Sequence, residues 1–453
     1  MGMLRRMFAA LHAVPLIVGG AEAAVQGVFA HYMVGGMSSI SQALADVSQA
    51  QSLGLDAFAL NVQQPDEWWA RASLDFLFDA AGQTGFKLFF SMDMAVIPSP
   101  SACVPVLQAY ASHPAYYRYQ NRPFLSTFRG GNHYDWLSAL QSVSPQPYFV
   151  PNFEDHSSVQ SSGGAYPYSI FTTHPYLDGV MGWETAWPHI GQSPVSPIDD
   201  SAIDAANLNN CRAQAKSYML PVSSHQSKHL RTHGNWLRPG AFNLPRHMAL
   251  ALRLQPEFVE LLTWNDVGEG HYFGNIWPES LPDPEMRAAV DVERWNHDAW
   301  RGLIRPFVAA LKSGAGTEGV YPMDGKMFSG VFWYRPLLKA ADGGLDWLGL
   351  WKPDGWMDVE DKVNVAVLLG QQSSGWKVRV WSGGRVVGEY DGRPGMNMYQ
   401  AEAGMGDIMV QVLTGDWTLV GEGKGAMAVT DRIDQVGGLY NFNYQVVEIA
   451  PFP

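Results

Sequence analysis

Cysteine is scarce. The 453-residue chain has two, Cys103 and Cys211, which excludes a disulfide-built scaffold and a cysteine-rich zinc module. A bridge between them would close a loop of about a hundred residues, worth up to roughly 4–5 kcal/mol in the entropic account. Two separate buried thiols are the alternative. Charge is also thin, at 16% of residues against roughly 25% in ordinary globular proteins. Disorder needs high charge and few apolar residues, so a chain that is 47% hydrophobic is folded over most of its length. Positive charge is the scarcer sign, with 30 Lys and Arg against 43 Asp and Glu and a net charge of −13. Such a surface repels phosphates and anionic headgroups, so neither nucleic acid nor a membrane is an expected partner. Nothing approaches the ~20 consecutive apolar residues that span a bilayer. No CxxC, HExxH or EF-hand pattern occurs, so no metal or cofactor is expected.

What is present begins with a leader-like N-terminus. Arg5 and Arg6 precede a short apolar stretch, residues 7–18, and Ala21-Glu22-Ala23 is a small-x-small cleavage pattern. Residues 1–23 therefore read as a secretory signal. Short apolar runs then alternate with amphipathic stretches. The expected strands are 28–32, 56–61, 86–92, 124–128, 148–152, 179–182, 218–222 and 258–264. They lack polar alternation, as parallel strands covered on both faces do. Helical stripes fill most gaps, at 38–53, 74–81, 104–111, 136–143, 203–215 and 246–254, with Gly54 as a C-terminal cap. Eight strands with intervening helices predict an α/β fold, a (β/α)8 TIM barrel over residues 24–315. A doubly wound sheet would place a phosphate-binding glycine turn after its first strand, whereas His31-Tyr32-Met33-Val34-Gly35-Gly36 is no GxGxxG. Past the small-residue stretch 313–319, true alternation appears: Val363, Val365 and Val367, then Trp376, Val378 and Val380 around Lys377 and Arg379. This predicts an antiparallel β-sandwich over 316–453.

Barrel chemistry sits where strands end, on the βα loops. That rule collects His31 and Tyr32, Asn61 followed by Asp66, then Asp93, Asn152, Trp183, Glu184 and His225. The densest group ends the eighth strand: Trp264-Asn265-Asp266-Val267-Gly268-Glu269-Gly270-His271-Tyr272. On a strand, Asp266 and Glu269 would face opposite ways. Gly268 and Gly270 favour a turn, on which both carboxylates look into one pocket. Two carboxyls beside a Trp and a His are equipment for general acid and base work, the arrangement glycoside hydrolysis uses. An aromatic content of 12% suits sugar stacking and core packing equally.

Seven separated segments, in order, resemble glycoside hydrolase family 71, the fungal α-1,3-glucanases or mutanases. They are VFAHYMVGG (28–36), LGLDAFALN (53–61), GFKLFFSMDM (85–94), PFLSTFRGG (123–131), YFVPNF (148–153), YMLPVSS (218–224) and FVELLTWNDVGEGHY (258–272). FWYRP at 332–336 is similar to that family's accessory region. The resemblance implies hydrolysis of α-1,3-glucan with inversion, Asp266 as general base, Glu269 as general acid and carboxyls roughly 6.5–9.5 Å apart. It further implies pocket or sugar-contacting roles for His31, Asp66, Asp93, Asn152, Trp264, Asn265, His271 and Tyr272. Val267 stands where an aromatic is usual, Gly270 where Ser is usual, and 222–236 diverges, all of which bear on subsite shape. A related barrel hydrolase with another polysaccharide substrate, and a non-catalytic glucan-binding wall protein, are the competing readings.

Overall fold

The computed structural model describes residues 25–188, 202–232, 234–291 and 294–452. The expected leader, 1–23, lies outside them. Eight parallel strands follow in chain order: β1 Gly27–Met33, β2 Ala57–Val62, β3 Lys87–Asp93, β4 Arg122–Phe128, β5 Tyr148–Phe149, β6 Gly179–Met181, β7 Ser217–Ser223 and β8 Phe258–Leu262. The sheet order is β5-β4-β3-β2-β1-β8-β7-β6, with Arg118–Tyr119 added antiparallel on β4. It is an open sheet, strongly curled. Phe29 of β1 lies 5.7 Å from Phe124 of β4, three places away in the sheet, and 4.8 Å from Phe89 of β3. Phe124 in turn meets Phe258 of β8 at 4.9 Å. This aromatic layer fills the concave side near the strand starts, so polar strand residues collect at the other end. Burial of each such ring stabilises the fold by roughly 1.5–3 kcal/mol.

The strands are apolar without alternation because helices cover their outer face. The first helix, Ile40–Ser52, buries Ala43, Val47 and Ala50. It stops at Gly54, whose φ of +81° is left-handed, while Leu55 N donates back to Ala50 O at 3.1 Å. Both cysteines are free and buried, which corrects the bridge considered above. Cys103 packs 3.8 Å from the Met94 sulfur, and burial pushes its thiol up to about 12.

Eight antiparallel strands make up the C-terminal part: β9 Phe328–Tyr334, β10 Lys362–Leu369, β11 Lys377–Ser382, β12 Arg385–Asp391, β13 Gly395–Glu402, β14 Ile408–Leu413, β15 Leu419–Lys424 and β16 Gln445–Pro451. Their order is β12-β11-β14-β15-β16-β9-β10-β13. The expected sandwich is instead one continuous, near-closed barrel. β16 pairs with both β15 and β9, joining what would otherwise be two sheets. The free edges of β12 and β13 meet through side chains: Tyr390 and Tyr399 stack at 4.8 Å, and Tyr399 Oη donates to Asp391 O. Trp333 of β9 ties this part to the parallel sheet's core, its Nε1 donating to Ala241 O at 2.8 Å.

Candidate active site

After β8 the chain turns back as a hairpin, Asn265–Asp266 pairing antiparallel with His271–Tyr272. Thr263 sets the turn, its Oγ1 accepting from Asp266 N and donating to His271 O. Glu269 N donates to Asp266 Oδ1 at 3.1 Å. Gly270 takes φ +71°, and a side chain there would crowd Ser227 Oγ and His225 Nε2. The hairpin gathers both carboxylates and His271, their nearest ligating atoms within 4.8 Å of one another.

His271 is fully buried, with Nε2 3.4 Å from Asp266 Oδ2 and 3.5 Å from Glu269 Oε2. Burial alone would depress its pKa, but the two carboxylates overcome it and push the imidazole up to about 9. For Glu269 the balance also runs against burial, which by itself raises a carboxyl. His271 and the Lys228 ammonium, 3.0 Å away, hold it down at about 2. Gln226 Nε2 donates to its other oxygen. The three-residue group has the donor types for a metal ion, and Lys228 already pairs with one of its carboxylates.

Lys228 and Gln226 come from a second hairpin, Gln226–Leu230 paired with Gly234–Arg238, that follows β7. It walls a cleft of about 240 Å³ of water-accessible space at the C-terminal ends of the strands. Asp266, Glu269, His31, Asp93 and Trp183 share the lining with Asn61, Gln63, Phe128, Arg129, Glu184, Trp236 and Arg238.

A family model described as glycosyl hydrolase family 71 matches residues 24–451. The chain belongs to that family. It is 31% identical to a mutanase of Penicillium rubens over 92% of this chain and 88% of that one. Identity is also 31% to the glucan endo-1,3-alpha-glucosidase agn1 of Schizosaccharomyces pombe, over 82% and 84%. The ascus wall endo-1,3-alpha-glucanase of the same yeast is 26% identical over 94% and 98%.

Of the residues expected at the site of this family 71 chain, Asp266, Glu269, His31 and Asp93 line the cleft, and His271 sits directly behind the acids. His31 is fixed from behind by Glu260, Nδ1 to Oε1 at 2.7 Å, which leaves Nε2 without a protein partner. Asp93 accepts from Ala95 N, and burial raises its pKa. The others are elsewhere. Asp66 is exposed and pairs with Arg71. Asn152 is buried among Arg129 N, Glu154 and Met181 O. Trp264 packs 5.0 Å from Phe58 in the core. Asn265 braces β1 by exchanging two hydrogen bonds with the Met33 backbone. Tyr272 stacks on His297 at 4.1 Å and donates to Trp295 O. Val267 packs with Tyr272, Leu281 and Val290, outside the cleft lining.

Gln226, Lys228, Trp236 and Arg238 were not anticipated. Their signal is period-two alternation in Gln-Ser-Lys and Trp-Leu-Arg on either side of a turn, which puts each pair on one face of a hairpin. Glu154 was also missed. It accepts from Trp183 N at 3.1 Å and Glu184 N at 2.9 Å, fixing one wall, and burial raises it to about 7.

Proposed function

We propose that the protein is an exported hydrolase that cleaves α-1,3-glucosidic links of fungal cell-wall glucan or mutan with inversion. The observation that carries this reading is the Asp266/Glu269 pair, presented by one hairpin into a cleft at the strand ends. The names of the two Schizosaccharomyces pombe relatives supply the linkage. The reading takes residues 24–315 as a (β/α)8 barrel and 316–453 as its accessory domain. Backbone bonds from Asp178 N to Phe149 O and from Met181 N to Pro151 O, both 2.9 Å, support closure between β5 and β6.

Asp266 acts as base on the attacking water and Glu269 protonates the leaving oxygen. Two conditions follow from the free protein. Glu269 starts ionised, so it must take up a proton as the glucan excludes water and weakens the Lys228 contact. The attacking water must also fit between carboxylates whose nearest oxygens lie within 4.8 Å of one another, inverting pairs holding their carboxyl groups roughly 6.5–9.5 Å apart. His31 and Asp93 face the same cleft and serve as sugar contacts.

The ionised state of Glu269 favours a second reading with the roles exchanged. Reducing-sugar release from insoluble α-1,3-glucan, wild type against Glu269→Gln and Asp266→Asn, tests the pair. Each folded variant is expected to lose about 10²–10⁴-fold. Equal release by either variant removes that residue from the mechanism. An aryl glucoside with a good leaving group then assigns roles, because it rescues the variant lacking the acid and leaves the other inactive.

A further inference from the structure

We infer that segment 343–358 is a second carbohydrate-binding site, an aromatic platform that takes an α-glucan chain running on from the cleft. This rests on the function proposed above. The segment carries three tryptophans within ten residues, and two are open: Trp347 is 46% and Trp351 51% exposed. Trp356 meets Trp351 edge-on at 6.0 Å.

The segment has little regular structure, yet it is pinned to the cleft-walling hairpin. Asp346 accepts from His229 Nε2 at 2.6 Å and from Tyr440 N at 2.7 Å. Arg231 Nε donates to Leu348 O, and Asn235 Nδ2 to Leu350 O at 2.8 Å. Asp354 exchanges backbone bonds with Asn235 and Leu237, on either side of Trp236. Trp236 itself lines the cleft. The segment's backbone at Asp354 is thus bonded to the residues on either side of a tryptophan of the cleft wall.

Trp351 also holds a φ of +58°, a left-handed conformation that bulky side chains rarely adopt. Asn, Asp or Gly would sit there with less strain, and half-exposure of the indole returns little burial to offset it. An open, rigidly mounted tryptophan pair is instead suited to a ligand with flat apolar faces. Sugar rings present such faces, and their hydroxyls find donors in Lys352 and Arg231, which lie over Trp356 and Trp347 at 4.1 and 5.7 Å. Continuity with the cleft selects an extended polymer over a free monosaccharide.

The test uses the full chain with Trp347→Ala and Trp351→Asn, singly and together. Trp351→Asn suits the left-handed backbone, so its Tm should equal or exceed the wild type, which separates binding from folding. Adsorption to insoluble linear α-1,3-glucan is expected to weaken about tenfold per aromatic removed, the scale of a binding hot spot. Cleavage of short soluble α-1,3-oligosaccharides should stay unchanged, since they do not reach beyond Trp236. Unaltered adsorption by the folded double variant overturns the platform while leaving the proposed activity standing. A changed oligomeric state with unaltered adsorption overturns it in favour of a contact between copies. Failure of the wild type to cleave or adsorb α-1,3-glucan overturns the functional reading, and the platform with it.

Discussion

The two sides of the β8 hairpin hold histidines that are equally buried, one charged and one neutral. On the cleft side, His271 faces Asp266 and Glu269 and is pushed up to about 9. On the rear side, His225, whose ring nitrogens like those of His271 make no hydrogen bond of good geometry, has no carboxylate among the charges that shift it. Its neighbours are rings, Tyr444 at 5.1 Å and His297 at 5.6 Å. Burial pushes it well below its ordinary value, and the charges of His297 and His271 push the same way. The contrast separates two effects usually met together. Desolvation drives an imidazole toward neutrality wherever it is buried, and only a carboxylate within contact reverses that. The buried, charged histidine therefore lies on the face that carries the proposed acid pair, and the buried neutral one on the face that packs.

The strongest way to break the contrast is to remove the carboxylates. In the Asp266→Asn, Glu269→Gln double variant, His271 should become a second His225, neutral at pH 7 in an NMR titration of the ring. Activity should fall by at least the single-variant factor of about 10²–10⁴. A ring still protonated at pH 7 would show that some other group holds its charge. The next effect is on stability. Because the folded pKa of His271 lies above its unfolded value of 6.5, the stabilisation is fully present below pH 6.5 and is lost as pH rises through about 9. A shift of that size corresponds to at most about 3 kcal/mol. Thermal melting should show Tm falling on that alkaline side in the wild type and flat in His271→Gln.

Much of this arrangement was legible in the chain. The eight parallel strands showed themselves because burial on both faces removes polar alternation, leaving runs such as Ala57–Val62. The acidic hairpin was legible because Gly268 and Gly270 interrupt a strand between two carboxylates. Tyr272, Trp264 and Asn152 misled because strand-end position does not say which way a side chain leaves. Each of them turned inward to satisfy backbone groups or fill the core. Asp66 misled for the opposite reason, since its loop carries it out to Arg71. The Gln226–Arg238 hairpin was hidden by its brevity, and with it Lys228, whose contact with Glu269 depends on a neighbour 41 positions away. Alternation in the C-terminal part revealed one buried face per strand. It could not reveal that Gln445–Pro451 would join both halves into a single curled sheet.

Two smaller effects sharpen the contrast. Lys228→Met removes one of the two cations that hold Glu269 ionised, leaving His271 alone against desolvation. The Glu269 pKa should rise, and with Glu269 as general acid the alkaline limb of the kcat/KM profile should move to higher pH (with the roles exchanged, the acidic limb moves instead), with a rate change within about tenfold. An unmoved limb would show that His271 suffices. The smallest change belongs to the rear side. A depressed imidazole contributes stability that is present above its unfolded pKa of 6.5 and is lost as the pH falls below it. His225→Leu keeps the volume close and removes a group that binds protons only once the chain unfolds. The acid-side decline in Tm should become shallower, while the pH profile of activity stays put, because His225 lies outside the cleft lining. A shifted activity profile in that variant would mean that the two faces of the hairpin are electrostatically one site, with the charge on His271 tuned from behind as well as from the cleft.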